Sequence, residues 1–147
     1  SPHVRFPLLK QGDAPRADLI RQFQAAGDAV LFATRSFWQG VDIPGAALSL
    51  VVIDRLPFPV PTDPVVAGRE RALRASGGEP FNQLMLPEAT LALKQGVGRL
   101  MRSETDRGVI ALLDSRLLHK SYGRAVMAAL PPGRVTANRL DVKAFFG

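Results

Sequence analysis

Apolar positions along the chain fall into short unbroken runs separated by stretches of helical periodicity. His3 to Leu9 reads as a short strand or extended lead-in. Leu19, Ile20 and Phe23 then recur at helical spacing, with Asp13 as a cap ahead of them, Pro15 suited to the first turn and Gly27 as a stop. Ala29 to Thr34 is a mostly apolar run of the kind that forms a strand buried on both faces, and Leu48 to Ile53 and Gly108 to Leu113 read the same way. Asp63-Pro64 opens a second helix that reaches about Arg74 and is closed by Gly77-Gly78. Pro87 opens a third, Glu88 to about Arg102, and Tyr122 to Leu130 forms a fourth, stopped by Pro131-Pro132-Gly133. The three prolines of Pro57-Phe-Pro-Val-Pro61 lack amide donors and exclude that segment from a sheet interior.

Strands alternating with helices predict an α/β domain with a largely parallel sheet. Sheets of this kind place ligand sites in loops beyond the C-terminal ends of their strands. Two segments stand out for chemistry on that basis: Arg35 to Gly45, which follows a strand, and Gln95 to Arg102, which lies on a helix.

Composition narrows the function classes. At 147 residues the chain fits one domain. With 46% hydrophobic and 22% charged residues it is globular in character. The absence of cysteine excludes a disulfide scaffold, a thiolate metal site and a cysteine nucleophile from this sequence. His3 and His119 are its two histidines and lie far apart, which disfavours a histidine-built metal site or a Ser-His pair. No run approaches the roughly 20 apolar residues of a membrane span, and the start of the chain lacks a signal-peptide layout, so a soluble intracellular protein is expected. The net charge of +6 is uneven: residues 1 to 60 hold six basic and five acidic side chains, residues 61 to 147 thirteen and eight. The second part is suited to a polyanion, although charge alone does not separate nucleic acid from nucleotide.

Gln95, Arg99 and Arg102 are spaced i, i+4 and i+7, within about 60° on one helical face, while Ala89, Leu93, Val97 and Leu100 lie along a different stripe that can pack on the sheet. Arginine is permanently charged and carries a planar fork of donors that matches phosphate oxygens. Gly96 and Gly98 cost a helix about 1 kcal/mol each relative to alanine, which points to close approach of a backbone or ligand. From the residues alone, a phosphate site and a helix ending near Gly96 with two solvated arginines beyond it weigh equally. In Thr34-Arg-Ser-Phe-Trp-Gln-Gly-Val-Asp-Ile-Pro-Gly45, the hydroxyls of Thr34 and Ser36 suit a nucleic-acid phosphate and Gly40 permits close backbone approach. Asp42 is an acceptor suited to a ribose hydroxyl. Core packing is the favoured role for at least one of Phe37 and Trp38, with base stacking the lesser alternative.

Gly40 and Gly45 have phosphate-loop spacing, but Ala46-Ala47 replaces the Lys and Ser/Thr that such a loop needs. No acidic pair stands where a strand-end Asp-Glu would hold a metal. Asp54 is followed by Arg55, and Asp114 precedes Ser115-Arg116, so pairing with these arginines or turn capping is expected. Asp63 is expected to cap the helix opened by Pro64.

Val30-Leu-Phe-Ala-Thr-Arg-Ser-Phe-Trp-Gln-Gly-Val-Asp-Ile-Pro-Gly45 resembles motif V of the DinG/XPD-type superfamily 2 DNA helicases. Leu93-Lys-Gln-Gly-Val-Gly-Arg-Leu-Met-Arg-Ser-Glu-Thr-Asp-Arg-Gly108 resembles their motif VI, Q-x-x-G-R-x-x-R. The linker Asp54-Arg-Leu-Pro-Phe-Pro-Val-Pro-Thr-Asp-Pro64, together with Leu113-Asp-Ser-Arg116 and Ser121-Tyr-Gly-Arg124, is similar to bacterial DinG-like sequences. The resemblance covers nearly the whole chain, and both motifs in order with this linker are strongly specific.

The resemblance implies that residues 1 to 147 are the second, C-terminal RecA-like lobe of a two-lobe motor. The fold implied has three layers, a largely parallel sheet between helices, with the first strand and its motif IV missing upstream of His3 through truncation. ATP and Mg²⁺ would be held mainly by the first lobe of the same parent chain, which would carry the phosphate loop, the DEAH box and, in many members, an iron-sulfur cluster. By similarity, Gln95 would approach the terminal phosphate and Arg99 and Arg102 would act as arginine fingers. Gly40 and Asp42 would couple the nucleotide to DNA, and Thr34 and Ser36 would contact the backbone of single-stranded DNA. The resemblance also implies work in DNA repair in the bacterial cytoplasm. The alternative reading is a noncatalytic α/β module that binds nucleic acid or another protein.

Overall fold

The computed structural model describes residues 6–38, 43, 47–98 and 107–147. It is an α/β domain with short parallel strands. Strand β1 (Leu8–Lys10) is followed by helix α1 (Arg16–Ala26) and strand β2 (Val30–Phe32). Helix α2 (Arg35–Trp38) leaves the end of β2, and strand β3 (Leu50–Ile53) follows. Helix α3 (Pro64–Ala75), a π-helical turn (Phe81–Met85) and helix α4 (Leu86–Val97) lead to strand β4 (Val109–Leu112). Helices α5 (Arg116–His119), α6 (Gly123–Ala128) and α7 (Arg139–Phe146) complete the order.

The expected largely parallel sheet is present as two parallel pairs among the described residues. β1 pairs with β2 in the register Leu8↔Val30 to Lys10↔Phe32, and β3 with β4 in the register Leu50↔Val109 to Ile53↔Leu112. Each pair is a β-helix-β crossover, the connection that parallel strands require.

Side chains alternate across the strands, so each pair turns one row inward. Leu9 and Leu31 face a core built on Leu19, Phe37 and Ile43, with Ile20 and Phe23 of α1 packed against it. Val51, Ile53, Ile110 and Leu112 face a second core built on Leu56, Leu93, Val97 and Val126. The other rows are open: Phe32 is 58% and Val52 53% exposed, and Leu8, Val30 and Leu50 are exposed too. This corrects the expectation that Ala29–Thr34 and Leu48–Ile53 are buried on both faces. Helices of the described chain cover a single face of each pair, so only alternate strand residues find apolar neighbours.

Local chemistry accounts for most element ends. Asp63 caps α3 as expected, accepting the N–H of Val65 at 2.8 Å and of Val66 at 3.3 Å. Asp13 does not cap α1. The helix starts one residue after Pro15, with no side-chain cap, and the Asp13 N–H instead closes a turn on the Lys10 carbonyl. Gly27 ends α1 at φ 74°, where a side chain is strained. Glu79 was not anticipated as an organiser; its carboxylate accepts the N–H of Phe81 and Asn82 and starts the π-helical turn. That turn runs directly into α4, which begins at Leu86 rather than Glu88 and is described to Val97, with Gly98 as its C-cap. The stripe Ala89, Leu93 and Val97 is buried as its spacing predicts, joined by Ala92; Leu100 lies outside the described residues.

Helices α5 and α7 were not expected. Asp114, whose carboxylate accepts the Arg116 N–H at 3.0 Å, and Asn138, whose side chain accepts the Leu140 N–H at 3.0 Å, supply their local starts. Gly123 is needed where α6 meets α5, because a Cβ there would lie 2.0 Å from the Leu117 carbonyl oxygen. No helix among the described residues is long and apolar enough to cross a membrane.

Candidate functional site

The C-terminal ends of β1 and β2 converge on a polar cluster. The Gln11 N–H donates to the Phe32 carbonyl at 2.8 Å, extending the strand pairing by one residue. Gly12 then turns the chain at φ 105°, a conformation that favours glycine. Across from Gln11, the Thr34 N–H donates to its Oε1 at 2.8 Å and the Thr34 hydroxyl donates to the same oxygen at 3.0 Å. Thr34 Oγ1 and Ser36 Oγ are 2.9 Å apart, and Gln11 Nε2 donates to Ser36 Oγ at 3.3 Å. Arg16, at the start of α1, donates from Nη2 to the Ser36 carbonyl at 2.8 Å; its guanidinium lies 5.4 Å from the centre of the Phe37 ring. Phe37 is buried in the core, as expected for one of the two aromatics. Thr34 and Ser36 are exposed together at a strand end, as a phosphate contact requires.

Helix α2, which carries Ser36, packs against α4, which carries Gln95. The fold therefore brings the segments resembling motifs V and VI side by side. Gln95 is exposed in the last turn of α4, beside exposed Lys94. Gly40, Asp42, Arg99 and Arg102 lie outside the described residues. Of the predicted face of Gln95, Arg99 and Arg102, the structure places Gln95.

The Pro-rich linker is held against this region from two sides. Arg35 donates from Nη1 to the Pro57 carbonyl at 3.0 Å. Asp114, just past the end of β4, accepts the Leu56 N–H at 2.7 Å. The same carboxylate accepts the backbone N–H of Arg116 at 3.0 Å and its Nη2 at 2.6 Å. These donors, the Arg116 side chain foremost, hold the Asp114 carboxyl well below the usual carboxylate range, against the opposing effect of burial. The carboxylate in turn raises the Arg116 pKa. The expected Asp114–Arg116 pairing is thus present, while no ion pair joins Asp54 to Arg55 among the described residues. Arg116 also lies 5.0 Å from the centre of the Phe58 ring, which stacks with Phe81 and meets Tyr122 edge-on.

Gln11, Arg16 and Arg35 were not singled out as neighbours of the candidate residues in the sequence. Gln11-Gly12-Asp13 carries a turn signal, but its contact to Thr34 spans 23 positions and is created by the strand register.

Comparison with known proteins decides which family this arrangement belongs to. A family model described as the helicase C-terminal domain matches residues 1–133. The chain belongs to that family. The helicase C-terminal domain seen here is 50% identical over 129 residues to the ATP-dependent DNA helicase YoaA of Escherichia coli, covering 88% of this chain and 20% of that protein. It is 49% identical over 138 residues to the ATP-dependent helicase DinG of Mycobacterium tuberculosis, covering 94% of this chain and 21% of that protein. It is 43% identical over 131 residues to a Bacillus subtilis relative named 3'-5' exonuclease DinG, covering 88% of this chain and 14% of that protein. The chain spans about a fifth of the length of the first two relatives. Helix α7 lies beyond the matched residues of the helicase C-terminal domain.

Proposed function

We propose that this chain is the C-terminal motor lobe of an ATP-dependent DNA helicase. Its motif VI residues complete an ATP site formed with a first lobe of the same parent chain, and its strand end at Thr34 and Ser36 contacts single-stranded DNA. The observation that carries the reading is the packing of α2 on α4 in a helicase C-terminal domain. One packed unit then joins a DNA contact at Thr34 and Ser36 to a nucleotide contact at Gln95, so that movement at one is felt at the other.

In this reading Gln95 lies near the terminal phosphate, and Arg99 and Arg102 stabilise charge on the transferred phosphoryl group. Gly40 and Asp42 couple the two sites. Among the described residues no group of three His, Cys, Asp or Glu side chains is arranged to hold a metal. The donor set here suits phosphate oxygens rather than a cation, and Mg²⁺ and any iron-sulfur cluster are assigned to the first lobe. The protein works in the bacterial cytoplasm on single-stranded DNA.

The DNA contact is tested in the intact parent protein. Thr34→Ala and Ser36→Ala each weaken single-stranded DNA binding by about tenfold, the low end of the roughly 1.5 to 3 kcal/mol contributed by a hydrogen bond from this strand end to a charged phosphate oxygen. The KM for ATP stays unchanged. Fluorescence anisotropy with a labelled oligonucleotide reads the first effect and steady-state ATP turnover the second. Unaltered DNA affinity in both variants contradicts the assignment.

A further inference from the structure

The hydrogen bonds among Gln11, Thr34 and Ser36 form a closed ring, and the direction of each bond can be deduced. The backbone N–H of Thr34 can only donate, so the Gln11 side-chain atom facing it at 2.8 Å is Oε1. That orientation makes the Thr34 hydroxyl, 3.0 Å away, a donor to the same oxygen. A hydroxyl has one hydrogen to give. With its hydrogen on Gln11, Thr34 Oγ1 must accept from Ser36 Oγ at 2.9 Å. Ser36 Oγ in turn accepts from Gln11 Nε2 at 3.3 Å. The bonds run in one sense, from Gln11 Nε2 to Ser36 to Thr34 and back to Gln11 Oε1.

Counting hydrogens around the ring changes which residue faces a ligand. Both hydroxyls have committed their single hydrogen within the ring. The Gln11 amide has two hydrogens, of which Ser36 takes one. Among the described residues, the second Nε2 hydrogen is the one donor the ring leaves uncommitted. It sits at the C-terminal end of a parallel strand pair, where ligands of such sheets bind. Gln11 is held from below by its own backbone bond to Phe32 and from the side by two hydrogens on Oε1. Its amide is therefore oriented before any ligand arrives, which lowers the ordering cost of binding.

We propose that Gln11 is a further nucleic-acid-binding residue of this lobe: its Nε2 donates to a backbone phosphate oxygen, while Thr34 and Ser36 orient the amide. The proposal rests on the reading of the Thr34 and Ser36 region as a DNA contact. Binding costs the ring nothing at Oε1. A phosphate accepting from Nε2 polarises the amide and makes Oε1 a better acceptor for the two Thr34 hydrogens, tightening that side of the ring in the bound state.

The test compares four variants of the intact parent protein for single-stranded DNA affinity, KM for ATP and thermal stability. Gln11→Glu keeps an oxygen for the two Thr34 hydrogens but removes the donor. Gln11→Met removes both. The proposal predicts that each weakens DNA binding by about tenfold, with the KM for ATP unchanged and melting intact in at least the Gln11→Glu protein. If Gln11→Glu binds like the wild type while Gln11→Met does not, Gln11 only braces Thr34, and the donor assignment is overturned. If both Gln11 variants bind normally while Thr34→Ala and Ser36→Ala are weakened, the assignment also falls, but the DNA contact of this strand end stands. If all four bind normally, the DNA-contact reading fails and this proposal with it.

Discussion

Replacing Arg102 with alanine in the intact parent protein lowers DNA-stimulated ATP turnover by about 10³-fold or more and leaves nucleotide binding largely in place. The reason is differential binding. A guanidinium that meets the phosphoryl oxygens as charge shifts onto them stabilises the transition state more than bound ATP, so its loss appears in kcat rather than in KM. Arg102→Lys does not restore the rate, because a lysine ammonium is a point charge without the planar fork that spans two oxygens. Single-turnover hydrolysis with a separate measurement of nucleotide affinity checks both statements. Near-normal turnover in Arg102→Ala removes the arginine-finger role from the account.

Loss of the Asp114 carboxylate has the largest expected effect on stability. The side chain is 7% exposed and accepts hydrogen bonds from Leu56 and from both the backbone and side chain of Arg116. Asp114→Ala leaves the Leu56 N–H without its partner and releases Arg116, at a cost of about 2 to 3 kcal/mol. Asp114→Asn does little better. Both carboxylate oxygens face donors, and an amide must turn its own N–H₂ toward one set of them. Equilibrium urea unfolding shows this as a lower midpoint with an unchanged slope.

The same carboxylate predicts an acid limb. Its folded pKa is depressed below the unfolded value of about 3.9, so its contribution is fully present above that value. The contribution is lost as pH falls from about 4 through the lower folded pKa. In Asp114→Ala this part of the acid dependence disappears.

The elements legible in the sequence were those set by local signals. Asp63-Pro64, Gly27 and the Ala89, Leu93, Val97 stripe each act within one or two helical turns, and each is found where its spacing placed it. Asp13 failed as a cap because α1 begins at Arg16 with Pro15 at the cap position, which leaves Asp13 two residues upstream of the cap. Two-sided burial of Val30, Phe32, Leu50 and Val52 failed for another reason: an apolar run reports what a strand tolerates, not which faces the described helices cover. In the candidate site, Thr34, Ser36 and Gln95 were visible by residue type and position. Gln11 was not, nor was the bond from Leu56 to Asp114, since these contacts join partners 23 and 58 positions apart that parallel pairing and linker docking bring together.

Coupling of ATP hydrolysis to single-stranded DNA through this lobe is read by steady-state ATP turnover of the intact parent protein measured across a titration of single-stranded DNA. Turnover that rises and saturates with DNA is expected of a coupled motor. Turnover that is absent, or that does not respond to DNA, contradicts that coupling.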